Sequence, residues 1–148
     1  MATWGEFAEQ APKLAEKAVE ILARTGTEEV LLATVRDSEP PRIHPVTIQV
    51  RDGGLFIFIH PSSKLTDLET DGRYALHTYM DPARPDEFAV RGRARPVEGD
   101  RRNQLAASWP WTVRDDVRAF ELLVDEAVLG ERGADEWPPR YSTWVAGA

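Results

Sequence analysis

The sequence predicts a mainly β protein, an antiparallel barrel preceded by a helical segment. Three observations carry that prediction. Apolar residues recur at helical spacing over the first two dozen positions, and from Val30 onward the dominant period is two. Turn chemistry then separates the alternating runs: Asp37-Ser38-Glu39-Pro40-Pro41, Asp52-Gly53-Gly54 and Asp81-Pro82-Ala83-Arg84-Pro85. With so many strands joined mainly by hairpins, closure into a barrel removes the edges that an open sheet would expose.

Residues 3 to 24 read as helix. Thr3 and Glu6 have the spacing of a capping box, and Phe7, Ala11, Leu14, Ala18, Ile21 and Leu22 form one apolar stripe. Pro12 divides the segment into a short helix and a longer one, and Gly26 ends it. Strands follow over Val30 to Arg36, Arg42 to Arg51 and Leu55 to His60, the last two joined by the Asp-Gly hairpin signal. A helix from Ser63 to Asp71 closes on Gly72 and buries Leu65 and Leu68. Arg73 to Tyr79 and Glu87 to Val97 are the next strands. Asp100 is expected to cap a helix that runs to the Trp109-Pro110-Trp111 corner. Phe120 to Leu129 and Tyr141 to Val145 complete the strands.

Composition bounds the function. At 148 residues the chain suggests a single domain, 1–148, able to bury about 70% of its unfolded surface. A net charge of −7 argues against nucleic acid as a partner, since phosphate backbones attract basic surfaces. The absence of cysteine removes thiol nucleophiles, iron–sulfur clusters and disulfides together. No apolar run approaches the ~20 residues needed to cross a bilayer, and no basic-then-apolar segment marks a signal peptide. The expected location is therefore cytoplasmic, away from any membrane.

Familiar catalytic signatures are missing: the chain contains no G-x-G-x-x-G, Walker loop or G-x-S-x-G elbow. His44, His60 and His77 fall on three successive strands, but their spacing matches no metal motif, so no metal site is expected. Two features stand out. In "FIFIHPSSKLTDL" a buried strand ends in two hydroxyls and a cation at the start of a helix. Hydroxyls and free N–H groups at a helix N-terminus, with a lysine in the first turn, suit an anion; the simpler alternative is a helix cap with Lys64 in water. The second feature is Arg91, Arg93 and Arg95 on one strand face, opposite Phe88, Val90 and Ala94, with Gly92 leaving room for a backbone or a ligand. Such a row can serve a phosphate, a subunit interface or a solvated edge.

The ordered combination "PPRIHPVTIQVRDGGLFIFIHPSSKLTDLETDGRYALHTY", followed by "DEFAVRGRARPV", resembles the flavin-binding split barrels related to pyridoxamine 5'-phosphate oxidase. The resemblance is strong over residues 27 to 99 and elsewhere rests on element order. It implies a six-stranded split antiparallel β-barrel that dimerises, with FMN in a groove between subunits. Ser62, Ser63 and Lys64 match the residues that hold the flavin phosphate. His44, Pro45, Val46 and Thr47 match the strand along the isoalloxazine ring, and Phe58 and Ile59 the end of the facing strand. The implied function is a flavin-dependent oxidoreductase acting on a small molecule; related barrels take a deazaflavin coenzyme or bind haem without catalysis. The chain departs from the oxidases proper at Ser63-Lys64, where they carry Arg-Lys. Glu87 replaces a flavin-contacting glutamine, and Arg140-Tyr141-Ser142 stands in place of the substrate-gripping Arg-x-His. The resemblance therefore extends to the cofactor and not to pyridoxamine phosphate.

Overall fold

In the computed structural model, which describes residues 1–148, two helices come first, α1 (Trp4–Gln10) and α2 (Pro12–Ala23). Thr3 closes the expected capping box. Its hydroxyl accepts from the Glu6 N–H at 3.2 Å, while the Glu6 carboxylate accepts from the Thr3 N–H at 2.8 Å. Pro12 lies at the start of α2, where its missing N–H costs nothing, so it begins a second helix by ending the first. Trp4, Phe7, Ala18, Ile21 and Leu22 pack into the core.

Seven strands follow: β1 (Glu29–Thr34), β2 (Arg42–Arg51), β3 (Gly54–Ile59), β4 (Arg73–Thr78), β5 (Glu87–Val97), β6 (Arg118–Glu131) and β7 (Arg140–Val145). Helix α3 (Ser63–Thr70) joins β3 to β4, and α4 (Gly99–Ala107) lies between β5 and β6. The strands pair antiparallel in the order β3-β2-β1-β4-β5-β6-β7, and β3 returns to pair with β6 from Phe56–Glu121 to Ile59–Arg118. Six strands thus close into a barrel, with β7 added outside the closure. Strand β6 makes this possible by its length. One edge follows β5 throughout; the other pairs with β3 near its start and with β7 over Glu126–Glu131.

Several boundaries differ from expectation. Strand β6 extends beyond Phe120–Leu129 at both ends, because backbone pairing continues where charged Arg118 and Glu131 hide the apolar alternation. Strand β1 stops at Thr34, and Arg36 turns instead toward Asp67. Asp100 does not cap α4: the N-cap is the extended Glu98, without a side-chain cap bond, and Asp100 lies in the first turn, where a carboxylate suits the helix dipole. The β2–β3 hairpin is as expected, with both Asp52 (φ 47°) and Gly53 (φ 75°) left-handed.

Every residue of β3 is buried. Leu55, Ile57 and Ile59 join the barrel core with Val30, Leu32, Ile48, Phe88 and Leu122. Phe56 and Phe58 belong to a second apolar cluster with Leu105 of α4, Trp109 and Val117. That layer covers the end of β3 where α3 begins.

The arginine row of β5 is exposed, opposite buried Phe88 and Val90. Each arginine is bound within the chain: Arg91 to Glu126 at 3.2 Å, Arg93 to the Asp71 carbonyl at 3.1 Å, and Arg95 to buried Glu121 at 2.5 Å. Gly92 admits another backbone, that of β6, at a bulge where Gly92 pairs with Val124 directly after Arg91 pairs with Glu126. No helix is long and apolar enough to cross a membrane.

Candidate functional site

At the end of β3 the chain turns through His60-Pro61 into Ser62, whose extended backbone makes it the N-cap of α3. The Ser62 hydroxyl accepts from the Leu65 N–H at 3.3 Å and donates to the His60 carbonyl at 2.8 Å. It is thereby committed to the cap. The Ser63 hydroxyl and the Lys64 ammonium form no hydrogen bond or ion pair within the chain. No acidic residue occupies this first turn. An unpaired cation therefore stands at the positive end of the helix dipole, an arrangement favourable only with an anion nearby.

Asp67 fixes the position of that helix end. It is 1% exposed. Its Oδ2 accepts from the Thr34 hydroxyl at 2.8 Å and from Arg42 Nε at 3.1 Å, which ties α3 to β1 and β2. Its Oδ1 lies 3.4 Å from Arg36 Nε, an ion-pair contact without a hydrogen bond. Leu65 and Leu68 bury the helix's apolar side in the barrel core.

Beside α3 lies a groove of about 310 Å³ lined by Glu29, Pro45, Val46, Thr47, Phe58, Ile59, His60, Lys64 and Trp111. Six expected site residues meet here: Pro45, Val46 and Thr47 from β2, Phe58 and Ile59 from β3, and Lys64. Their convergence follows from the hairpin: β2–β3 pairing stops at Ile48–Ile57, so the first half of β2 and the end of β3 lie near each other with those edges unpaired. His44, Ser62 and Ser63 do not line the groove. Ser63 is exposed in the first turn of α3, next to Lys64. The His44 Nε2 is buried without a partner, and desolvation, followed by the nearby Lys64 and Arg42 cations, holds its pKa below the usual range. It is neutral at pH 7.

Three lining residues were not expected. Glu29 begins β1 and His60 lies inside the stretch that drew attention. Trp111 comes from the corner after α4, some fifty residues away in sequence, and only the fold brings it to the groove. The histidines do not converge: His60 stacks on Trp111, and His77 contacts Glu87 at 3.5 Å on the outside of the sheet. No group of three potential metal ligands exists. Arg140, Tyr141 and Ser142 lie on β7, paired with β6. A larger concavity of about 640 Å³ opens between α2 and the β6–β7 pair, away from these residues.

No family model and no curated protein sequence matches the chain. Solved structures do resemble it. PhzG from Burkholderia lata 383, in complex with tetrahydrophenazine-1-carboxylic acid, superposes with a TM-score of 0.66 at 12% identity, covering 90% of this chain and 92% of that one. A heme-binding protein from Mycobacterium smegmatis gives a TM-score of 0.61 at 19% identity over 86% of this chain and only 57% of that chain. HutZ, the heme storage protein from Vibrio cholerae, gives a TM-score of 0.59 at 17% identity over 89% and 94%. At such identities the likeness is one of architecture, and the architecture is that expected from the sequence: an antiparallel split β-barrel.

Proposed function

We propose that the groove between β2, β3 and α3 binds FMN and that the protein is a flavin-dependent oxidoreductase acting on a small molecule. The observation that carries this reading is the unpaired Lys64 at the N-terminus of α3, beside a groove of mixed lining in which Val46, Phe58, Ile59 and Trp111 supply the apolar part. Lys64, the Ser63 hydroxyl and the free N–H groups of the first turn suit the phosphate. Pro45, Val46, Thr47 and Ile59 offer a surface for the flat ring. His44 supports β2 as a neutral residue behind that surface, and Ser62 supports the phosphate site by holding the helix start. Bound flavin supplies the electron-transfer chemistry itself, so the chain need provide only position, electrostatics and exclusion of water. That accounts for a chain without a familiar catalytic motif. The likeness to PhzG and to two heme-associated barrels supports a planar aromatic ligand of this general kind.

Titration with FMN, riboflavin, a deazaflavin coenzyme and haem, followed by quenching of tryptophan fluorescence, tests the assignment. FMN is expected to bind most tightly. A saturable shift of the haem absorbance with no response to either flavin would replace the reading with a haem-binding module. Preference for the deazaflavin would make the protein a deazaflavin-dependent reductase.

The same reading includes a homodimer. A groove of about 310 Å³ is at the small end of ligand sites and leaves much of a flavin uncovered by one chain. Pro45 continues from the groove onto an uncovered sheet face, where the row Pro45–Leu31–His77–Ala89 lies beside Ile43–Ala33–Ala75–Arg91. Ile43 is 66% exposed there and its diagonal neighbour Leu31 36%, so the face presents adjoining apolar side chains. A second copy covering this face would bury ~2,000 Å² or more in total. Sedimentation at micromolar concentration with FMN present should show a dimer; a stable monomer would remove this part of the proposal.

A further inference from the structure

Trp111 occupies an unusual position in the groove. Phe58 and Trp109 meet its indole edge-to-face, at centroid distances of 6.4 Å each and interplanar angles of 74° and 86°. These contacts brace the ring on two sides. One face is covered by the His60 imidazole, stacked at 5.0 Å and 23°. His60 is exposed, and its ring makes no hydrogen bond within the chain; only its carbonyl is engaged, by Ser62. A small planar ring without hydrogen bonds thus lies on a larger one, braced by two neighbours, in the lining of a groove that also contains an unpaired cation, Lys64. A planar aromatic ligand has more area to stack than an imidazole, and aromatic pairs prefer such offset-parallel contact.

We propose that the Trp111 face is a stacking subsite for the planar ring of an anionic aromatic ligand, and that His60 is a placeholder that swings aside when the ligand enters. The proposal rests on the groove being the ligand site; within the flavin reading it adds a ring contact contributed by the corner after α4, besides the strand surface. Removing one stacking partner of a planar base or ring lowers affinity by about tenfold. Removing the placeholder has the opposite sign, since the ligand no longer displaces a competing stack.

The experiment compares wild type, Trp111→Phe, Trp111→Ala and His60→Ala, each titrated with FMN and with anthraquinone-2-sulfonate, a planar anion unrelated to flavins. Trp111→Ala should weaken both ligands about tenfold, Trp111→Phe should recover part of the loss, and His60→Ala should tighten both by roughly two- to tenfold. Melting curves confirm that each variant is folded, and His60→Ala gives an informative result even if Trp111→Ala is not. Binding of the sulfonate with this pattern and no binding of FMN would overturn the flavin assignment while supporting the subsite. Unchanged affinities in the folded Trp111 variants, or weaker binding in His60→Ala, would overturn the subsite or the placeholder respectively and leave the flavin assignment standing. Failure of wild type to bind either ligand would overturn both.

Discussion

Gly92→Ala should destabilise the protein by about 3 kcal/mol or more, placing it among the most damaging single-methyl additions available in this chain. A Cβ at Gly92 would meet the Leu123 carbonyl oxygen at 2.0 Å and the Asp125 nitrogen at 3.0 Å, both backbone atoms that no rotamer change can move. Neither strand can retreat easily. Strands β5 and β6 pair from Glu87 to Val97, and the Leu123 carbonyl also accepts from the buried Tyr74 hydroxyl at 2.8 Å. For a domain of this size the loss corresponds to roughly 6–12 °C in melting temperature. Gly133→Ala is the control: its Cβ would make only an ordinary 4.0 Å contact, with the side chain of Glu136. Melting of Gly92→Ala within about 2 °C of wild type would show that the bulge absorbs the methyl, contrary to this account.

Asp67→Ala is the second large effect. It removes the buried carboxylate shared by Thr34, Arg42 and Arg36, leaving a buried hydroxyl without its acceptor and two arginines with only the exposed Glu39 as counter-charge. Full removal of a partner from a buried pair costs ~3–5 kcal/mol. The arginines here are partly solvated, at 28% and 33% side-chain exposure, so about 2–4 kcal/mol is the expected loss in denaturant unfolding. Asp67→Asn keeps an acceptor for Thr34 and should lose about half as much. Because Asp67 holds the start of α3 in place, both variants should also weaken ligand binding at Lys64. Stability close to wild type in Asp67→Ala would mean that Leu65 and Leu68 alone dock the helix.

How far the sequence could be read depended on the range of the interaction. The Thr3–Glu6 capping box, the Asp52-Gly53 hairpin, the Pro12 division of the helices and the start of α3 at Ser63 are set by neighbours within a few residues, and local chemistry was enough to locate them. Closure of the barrel depends on β3 returning to β6, a pairing between residues some sixty positions apart, so it was reached by economy of edges and by family resemblance. The ends of β6 were invisible because backbone pairing there needs no apolar side chain. Of the residues singled out for the site, Pro45, Val46, Thr47, Phe58, Ile59 and Lys64 lie on adjoining elements and line one groove. Trp111 and the bracing Asp67 were not singled out, since an exposed-looking tryptophan after a helix and one acidic residue among 25 Asp and Glu give no local signal. The arginine row showed the opposite limit: its shared face was legible, while its partners on β6 and in the α3–β4 turn were not.

The central claim is that Lys64 at the start of α3 holds the phosphate of FMN, and the affinity ratio of FMN to riboflavin measures it most directly. The two ligands share the ring and differ by the phosphate, so the ratio isolates the anion site from every other contact. A charge-assisted hydrogen bond is worth ~1.5–3 kcal/mol, or about ten- to a hundredfold in affinity. Wild type should therefore prefer FMN, and Lys64→Ala should lower that preference by about this factor while leaving riboflavin affinity nearly unchanged. A ratio that is the same in wild type and Lys64→Ala would contradict the account, even if flavin still bound elsewhere on the protein.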